Sequence, residues 1–131
     1  MDLIKLATAF RALQMYSHQA HNLTKGESFF ADHEYFADLY SFAESSYDSL
    51  IERSIGKGKK PSLKSIVSDV SKIVSALPED KFFEHCLILV NEIIKECEDL
   101  AKKESLGTNN LIADLADKLE VHVYKLKQRL S

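Results

Sequence analysis

The chain has 131 residues, 45% of them hydrophobic and 28% charged. That is an ordinary balance for one soluble globular domain, long enough to bury a real core. A formal net charge of −3 argues against a general polyanion binder, which carries a basic excess or stripe. No apolar run approaches the roughly 18 residues of a membrane span. The opening Met1-Asp2-Leu3-Ile4-Lys5 lacks the organisation of a signal peptide, so a cytoplasmic location is expected.

In chain order, Leu3, Leu6, Phe10, Leu13 and Tyr16/Ser17 recur at helical spacing and predict a helix from about 2 to 24. Lys25-Gly26-Glu27 breaks it. A second helix is predicted from Phe29 or Ala31 to about Ile55, with an apolar stripe of Phe29, Phe36, Leu39, Tyr40, Tyr47 and Ile51. The run from Gly56 to Pro61 ends it, with glycine and then proline past the last turn. A shorter helix from about Ser62 to Val74 carries Ile66, Val67, Val70 and Ile73 on its apolar face. Pro78-Glu79-Asp80 suits the N-terminus of a fourth helix running to about Lys103. Leu106-Gly107 reads as the last break, with Thr108 capping a final helix from about 109 to 130. The expected fold is therefore all-α, a four-helix bundle with a short helix in the crossover between helices two and three. Cys86 and Cys97 sit eleven residues apart on one predicted helix, about 16 Å, too far for a mutual disulfide. They read as reduced core thiols.

The chemistry lies in the first half. His21 and His33 flank the turn at Gly26 and can face one space in an antiparallel hairpin. Asp48 and Glu52 are one helical turn apart on the second helix and share a face. Two imidazoles and two carboxylates with open positions suit iron or zinc. His33 and Asp48, however, share a helix, and fifteen residues put them about 22 Å apart. If all four ligate one metal, a second copy related by a two-fold axis must bring Asp48 and Glu52 to the first copy's histidines. Four polar residues on helix surfaces are the simpler alternative. There is no Glu-x-x-His motif of the kind that intrachain di-iron bundles use.

The stretch from His21 through Lys25-Gly26, Phe29-Phe30 and His33, continuing to Asp48 and Glu52-Arg53, closely resembles the ferroxidase signature of the ferritin-like Dps family. Pro61-Ser62-Leu63-Lys64 resembles that family's short helix, and Leu119-Glu120-Val121-His122-Val123-Tyr124 its last helix, so the resemblance covers nearly the whole chain, residues 1–131. It implies a hollow homo-dodecamer that oxidises Fe(II) at two-fold interfaces, preferentially with hydrogen peroxide, and stores the ferric mineral inside. The implied ligands are His21, His33, Asp48 and Glu52, and the implied metal is iron.

Three positions depart from that pattern. Ala37 stands where the family often has a third carboxylate, which puts the number of irons per site in doubt. Asn22 stands where a tryptophan is common, and Tyr47 beside Asp48 is a possible substitute as well as a packing residue. Asn110 aligns with an acidic residue of the family's three-fold pore, and Asp114 and Asp117 could supply that field instead. His18 could extend the site or lie on the surface. His85 and His122 read as packing or surface residues. Lys57, Lys59, Lys60 and Lys64 form the sole basic cluster, read as a solvated turn with phosphate contact as the alternative. Coating DNA is the competing function, although weak or absent DNA binding is expected, since no lysine-rich arm is present. A shell with a degenerate site is the third reading.

Overall fold

The computed structural model covers residues 1–131 and consists of five helices with no strand: α1 (Leu3–Leu23), α2 (Phe29–Gly56), α3 (Leu63–Ser75), α4 (Phe82–Ala101) and α5 (Leu106–Leu130). The four long helices form a bundle, and α3 lies in the crossover between α2 and α4, as the sequence predicts. Helix α1 is the hub, packing against α2, α3 and α4, while α4 pairs with α5. No helix is long and apolar enough to cross a membrane.

The hub role follows from composition. Helix α1 buries Leu3, Leu6, Phe10, Leu13 and Tyr16 together with Ala7, Ala9, Ala12 and Ala20. The alanines let neighbouring helices approach on several sides at once. Asp2 starts the helix by accepting from the Lys5 amide at 2.8 Å. The turn into α2 uses Gly26 at φ 93, a left-handed conformation that glycine adopts at little cost. In α2 the fully buried line is Asp32, Phe36, Leu39, Ala43, Ser46, Leu50 and Ser54, at alternating three- and four-residue steps. The predicted stripe members Phe29, Tyr40, Tyr47 and Ile51 lie beside this line and are only half-buried. On α3, Ile66 and Val70 are buried, whereas Val67 is 60% exposed.

Two helix boundaries differ from expectation. Pro78 does not open α4. The Pro78 carbonyl accepts from the Tyr16 hydroxyl, which ties this segment to α1 ahead of the helix. The chain then turns through Lys81 in the left-handed region, φ 43, before helix begins at Phe82. Gly107 does not break the chain either. The break is at Lys102–Glu104, α5 starts after Ser105, and Gly107 is helical. A methyl there would sit an ordinary 3.9 Å from Arg53, so nothing at the position demands glycine. Thr108 is buried and serves as acceptor for Arg53 at 3.2 Å rather than as a cap. The link from α4 is instead tied by the Asn109 side chain, which donates to the Ala101 carbonyl at 2.8 Å.

Candidate metal centre

His21 lies in the last turn of α1 and His33 near the start of α2, facing one another across the Gly26 turn. The contact is reciprocal. The Nδ1 of His21 meets the His33 carbonyl at 2.6 Å, and the Nδ1 of His33 meets the His21 carbonyl at 2.8 Å. A carbonyl can only accept, so both Nδ1 atoms carry hydrogen, and in the neutral ring Nε2 is the atom that presents a lone pair. Fixing one imidazole nitrogen to a backbone carbonyl is how metal-ligating histidines are commonly oriented. The two rings stack at 3.6 Å between centroids. Phe29 stacks on His33 at 4.8 Å, and Tyr40 packs edge-on against His21 at 5.4 Å. His18 lies flat on Tyr40 at 4.1 Å, with its ring 5.9 Å from that of His21.

Asp48 and Glu52 project from the far half of α2, both exposed. A hydrogen bond that the protonated Glu52 carboxyl donates to Asp48, then the negative charge of Asp48, raises the Glu52 carboxyl above its ordinary value. Neither acid has a cation. The ion pairs in the chain are Lys57–Glu104, Lys59–Asp2, Lys118–Asp114 and Arg129–Asp32. Nearby cations are engaged elsewhere: Arg11 lies over the Tyr47 ring at 3.9 Å, and Arg53 donates to Thr108. Thus two pairs are brought together, His21 with His33 and Asp48 with Glu52, and the length of α2 keeps the pairs apart. No three His, Cys, Asp or Glu side chains converge within one chain.

Of the remaining candidates, Ala37 is half-buried and Asn22 and Asn110 are exposed. Asp114 is paired with Lys118, and Asp117 is exposed. Lys57 and Lys59 are held in ion pairs, leaving Lys60 and Lys64 as the free members of the basic cluster. His85 Nδ1 holds the Asp80 carbonyl at 2.6 Å, a loop contact. Cys86 and Cys97 are buried free thiols, and burial pushes both up to about 12.

Two polar pairs, each with one buried member, went unread in the sequence. His122, only 8% exposed, meets the Tyr35 hydroxyl at 2.9 Å through Nδ1. Burial, then the charge of Lys125, lowers this imidazole to about 4, so it is neutral. Its position was legible, since it continues the buried series Ile112, Leu115, Leu119 of α5. Asp32, 6% exposed, receives two parallel hydrogen bonds at 3.0 Å from Arg129, which also lies over the Phe83 ring at 4.5 Å. A carboxylate four residues before Phe36 on the buried line signals a hidden partner, but 97 residues of separation conceal which cation supplies it.

No protein-family model matches the chain, and no curated protein sequence does. Solved structures match closely in shape. Dps from Thermosynechococcus elongatus superposes with a TM-score of 0.87 at 22% identity, over 98% of this chain and 87% of that one. A C-terminal deletion mutant of Mycobacterium smegmatis Dps gives 0.85 at 19% identity, over 98% and 94%. The fold is that of the Dps proteins. A third Dps structure, from Vibrio cholerae O1, is described as a member of a broad superfamily of ferritin-like diiron-carboxylate proteins. It matches with a TM-score of 0.65 at 20% identity, over 98% of this chain and 86% of that chain. The Dps fold thus carries two helix-borne polar pairs here, one of imidazoles and one of carboxylates.

Proposed function

We propose that this chain is a cytoplasmic ferroxidase and iron store that works as a closed homo-dodecamer, residues 1–131 forming one ferritin-like domain. The observation that carries this reading is the reciprocal histidine lock. It spends both Nδ1 atoms of His21 and His33 on backbone and leaves both Nε2 atoms free. The complement is the pair Asp48 and Glu52, adjacent acids without a cation at the other end of the same helix. A two-fold axis that reverses α2 against its copy joins the halves into a mixed nitrogen and oxygen donor set with open positions, which suits iron.

In that site Fe(II) is the substrate and hydrogen peroxide the oxidant. Two Fe(II) give up one electron each, the O–O bond breaks, and two Fe(III) and two hydroxides form. The carboxylates favour the product, because the ferric ion carries one more unit of charge in a partly desolvated site. A two-electron reduction of peroxide releases no hydroxyl radical, and that is the protective value of the reaction. Ala37 supplies no donor, so any second iron relies on Glu52 or water.

The deciding experiment is an anaerobic Fe(II) titration followed by peroxide, with bound iron per chain and oxidation rate recorded. Saturable Fe(II) binding and rapid oxidation at one peroxide per two irons are expected. Oxidation no faster than in buffer would sink the reading. Light scattering tests the assembly, and a chain that stays monomeric at micromolar concentration defeats the shared site.

A further inference from the structure

We propose that Arg129 is a positioning residue for the histidine pair: from the last turn of α5 it clamps Asp32, and so holds the first turn of α2 and the His21–His33 lock in place. The consequence for metal binding rests on the iron reading above. The clamp itself rests on the geometry.

The start of α2 has little support of its own. Ser28 stands at the N-cap, but its side chain makes no capping hydrogen bond. The first turn is closed by backbone alone. The Phe29 amide donates to the Gly26 carbonyl at 3.1 Å, and the Asp32 amide to the Ser28 carbonyl at 2.8 Å. A first turn without a side-chain cap frays readily. Packing does not hold it from the preceding side either, because no residue between Ala20 and Asp32 is buried. Yet this turn leads directly into His33. The His33 carbonyl holds the His21 ring, and the His33 ring reaches back to the His21 carbonyl. Fraying at the start of α2 therefore opens both bonds at once.

Asp32 is the first side chain of α2 to enter the bundle, at 6% exposure. Its anchor is Arg129. The Nε of Arg129 donates to Oδ1 and its Nη2 to Oδ2, each at 3.0 Å. A fork of two parallel bonds fixes direction as well as distance, which a single contact does not. The fork is itself backed. The guanidinium lies over Phe83 at 4.5 Å, and Phe83 packs on Phe36 of α2 at 4.6 Å. Arg129 thus joins the first turn of α2 to the second. The polar ties from Tyr35 to His122 and from Arg53 to Thr108 also link α2 with α5, but both lie after His33. The Asp32 fork is the tie that precedes it. An apolar residue at position 32 offers burial without direction, whereas the fork supplies the direction that a ring aimed at a metal needs.

The first arm of the test uses the metal-free full chain and separates positioning from stability. Arg129→Met removes the fork and strands Asp32. Asp32→Leu with Arg129→Met replaces the whole pair by apolar groups, a change that is often neutral or stabilising at a buried ion pair. Deuterium exchange at the imidazole ring carbon between the two nitrogens, read by mass spectrometry, reports how freely each ring meets water. Exchange at His21 and His33 is expected to quicken several-fold in both variants, while urea unfolding of the double variant returns toward the parent. A merely structural pair does not give that split. Parent exchange in a folded Arg129→Met overturns the proposal, as does exchange that recovers together with stability in the double variant. If the double variant folds poorly, Arg129→Lys replaces it, keeping the charge and losing the fork. Faster exchange than in the parent supports the clamp there, and equal exchange overturns it.

The second arm adds zinc in competition with a chelating dye. Affinity is expected to fall about tenfold in both variants, the low end of what loss of an orienting partner costs. Unchanged affinity in a variant whose rings exchange faster overturns the positioning role. Faster exchange in the variants, with no zinc bound even by the parent, upholds the clamp and overturns the metal reading instead.

Discussion

At the Gly26 end of α2, each imidazole is anchored to the other's backbone and stacked between aromatic rings. At the Gly56 end, Asp48 and Glu52 stand in water, close enough to raise the Glu52 carboxyl and without a cation. The difference is one of preparation. The imidazoles can be oriented in advance, because the carbonyls hold one nitrogen of each. Paired carboxylates cannot be buried in advance without a counter-charge, since desolvating an unpaired anion is costly. In the proposed shared site, one half pre-oriented and one half exposed and anionic would avoid that cost until the metal arrives.

The largest effect should come from the anionic half. Asp48→Ala with Glu52→Ala is expected to abolish fast iron oxidation while helicity and assembly persist, because both side chains are exposed and pack against nothing. Stopped-flow absorbance after peroxide addition reads this directly. An assembled double variant that oxidises iron at the parent rate locates the chemistry elsewhere.

The imidazole half should be the less tolerant of a single change. His33→Ala deletes one proposed ligand and the ring that stacks on His21 at 3.6 Å, although the carbonyl that holds the His21 ring remains, whereas Asp48→Asn leaves Glu52 in place. Zinc affinity, measured by competition with a chelating dye, is expected to fall by at least about a hundredfold for His33→Ala, since loss of an orienting partner alone costs 10–100-fold. The loss for Asp48→Asn should be smaller. The reverse order would mean that the lock does not position a ligand.

The sequence carries the two halves unequally. The His21, Gly26, His33 spacing and the Asp48, Glu52 step pointed to the two side-chain pairs, and helix rise to their separation. Five helices were legible from periodicity, because apolar residues at three- and four-residue steps report which face is buried. The reciprocal lock was not legible, since it joins side chains to carbonyls whose directions depend on how the turn closes. The start of α4 was missed for the same reason: Pro78 has the local chemistry of a helix N-terminus, but Tyr16, 62 residues away, ties its carbonyl to α1 ahead of the helix. Gly107 misled because composition suggests a break where the backbone is helical. His122 and Asp32 were polar residues on apolar lines, and their partners lie 87 and 97 residues distant.

Asp32 and Arg129 extend the comparison to a carboxylate that is buried and therefore paired. Arg129→Met should keep contact with Phe83 and leave Asp32 buried alone. A loss of about 2–3 kcal/mol in urea unfolding is expected, the range for stranding a buried charged acceptor. A change within error would mean that water replaces the guanidinium freely. Glu52→Gln, by contrast, should be neutral or slightly stabilising, since it removes repulsion and no partner.

A smaller effect separates the neutral histidine of the core from the exposed acids. His122 is held to about 4, below its ordinary 6.5, chiefly by burial. Between those values the unfolded chain binds a proton that the folded chain does not. Stability contributed by the neutral ring is therefore full above about pH 6.5 and lost as pH falls toward 4. His122→Gln should flatten the slope of unfolding free energy across that window by about one proton. Equal slopes in parent and variant would show that His122 titrates normally.

The smallest expected effect is on DNA, and it concerns the same end of α2. Beyond Gly56 the chain carries Lys57, Lys59, Lys60 and Lys64, and non-specific DNA affinity comes mainly from such cations releasing counterions. Lys57 is already paired with Glu104 and Lys59 with Asp2, so the cluster offers two free charges per chain rather than four. In the proposed dodecamer, twelve copies at −3 would carry roughly −36, which opposes approach to a polyanion at long range. Repetition twelve times could still give avidity, and a gel shift weighs the two effects. At about 150 mM salt, where exposed charges more than about 8 Å apart are largely screened, no retardation of plasmid DNA is expected. Releasing the lysines with Asp2→Asn and Glu104→Gln should raise retardation at low salt while leaving iron oxidation untouched. Tight binding by the parent chain, lost when the four lysines become glutamine, would make coating of DNA the better account of this end of the molecule.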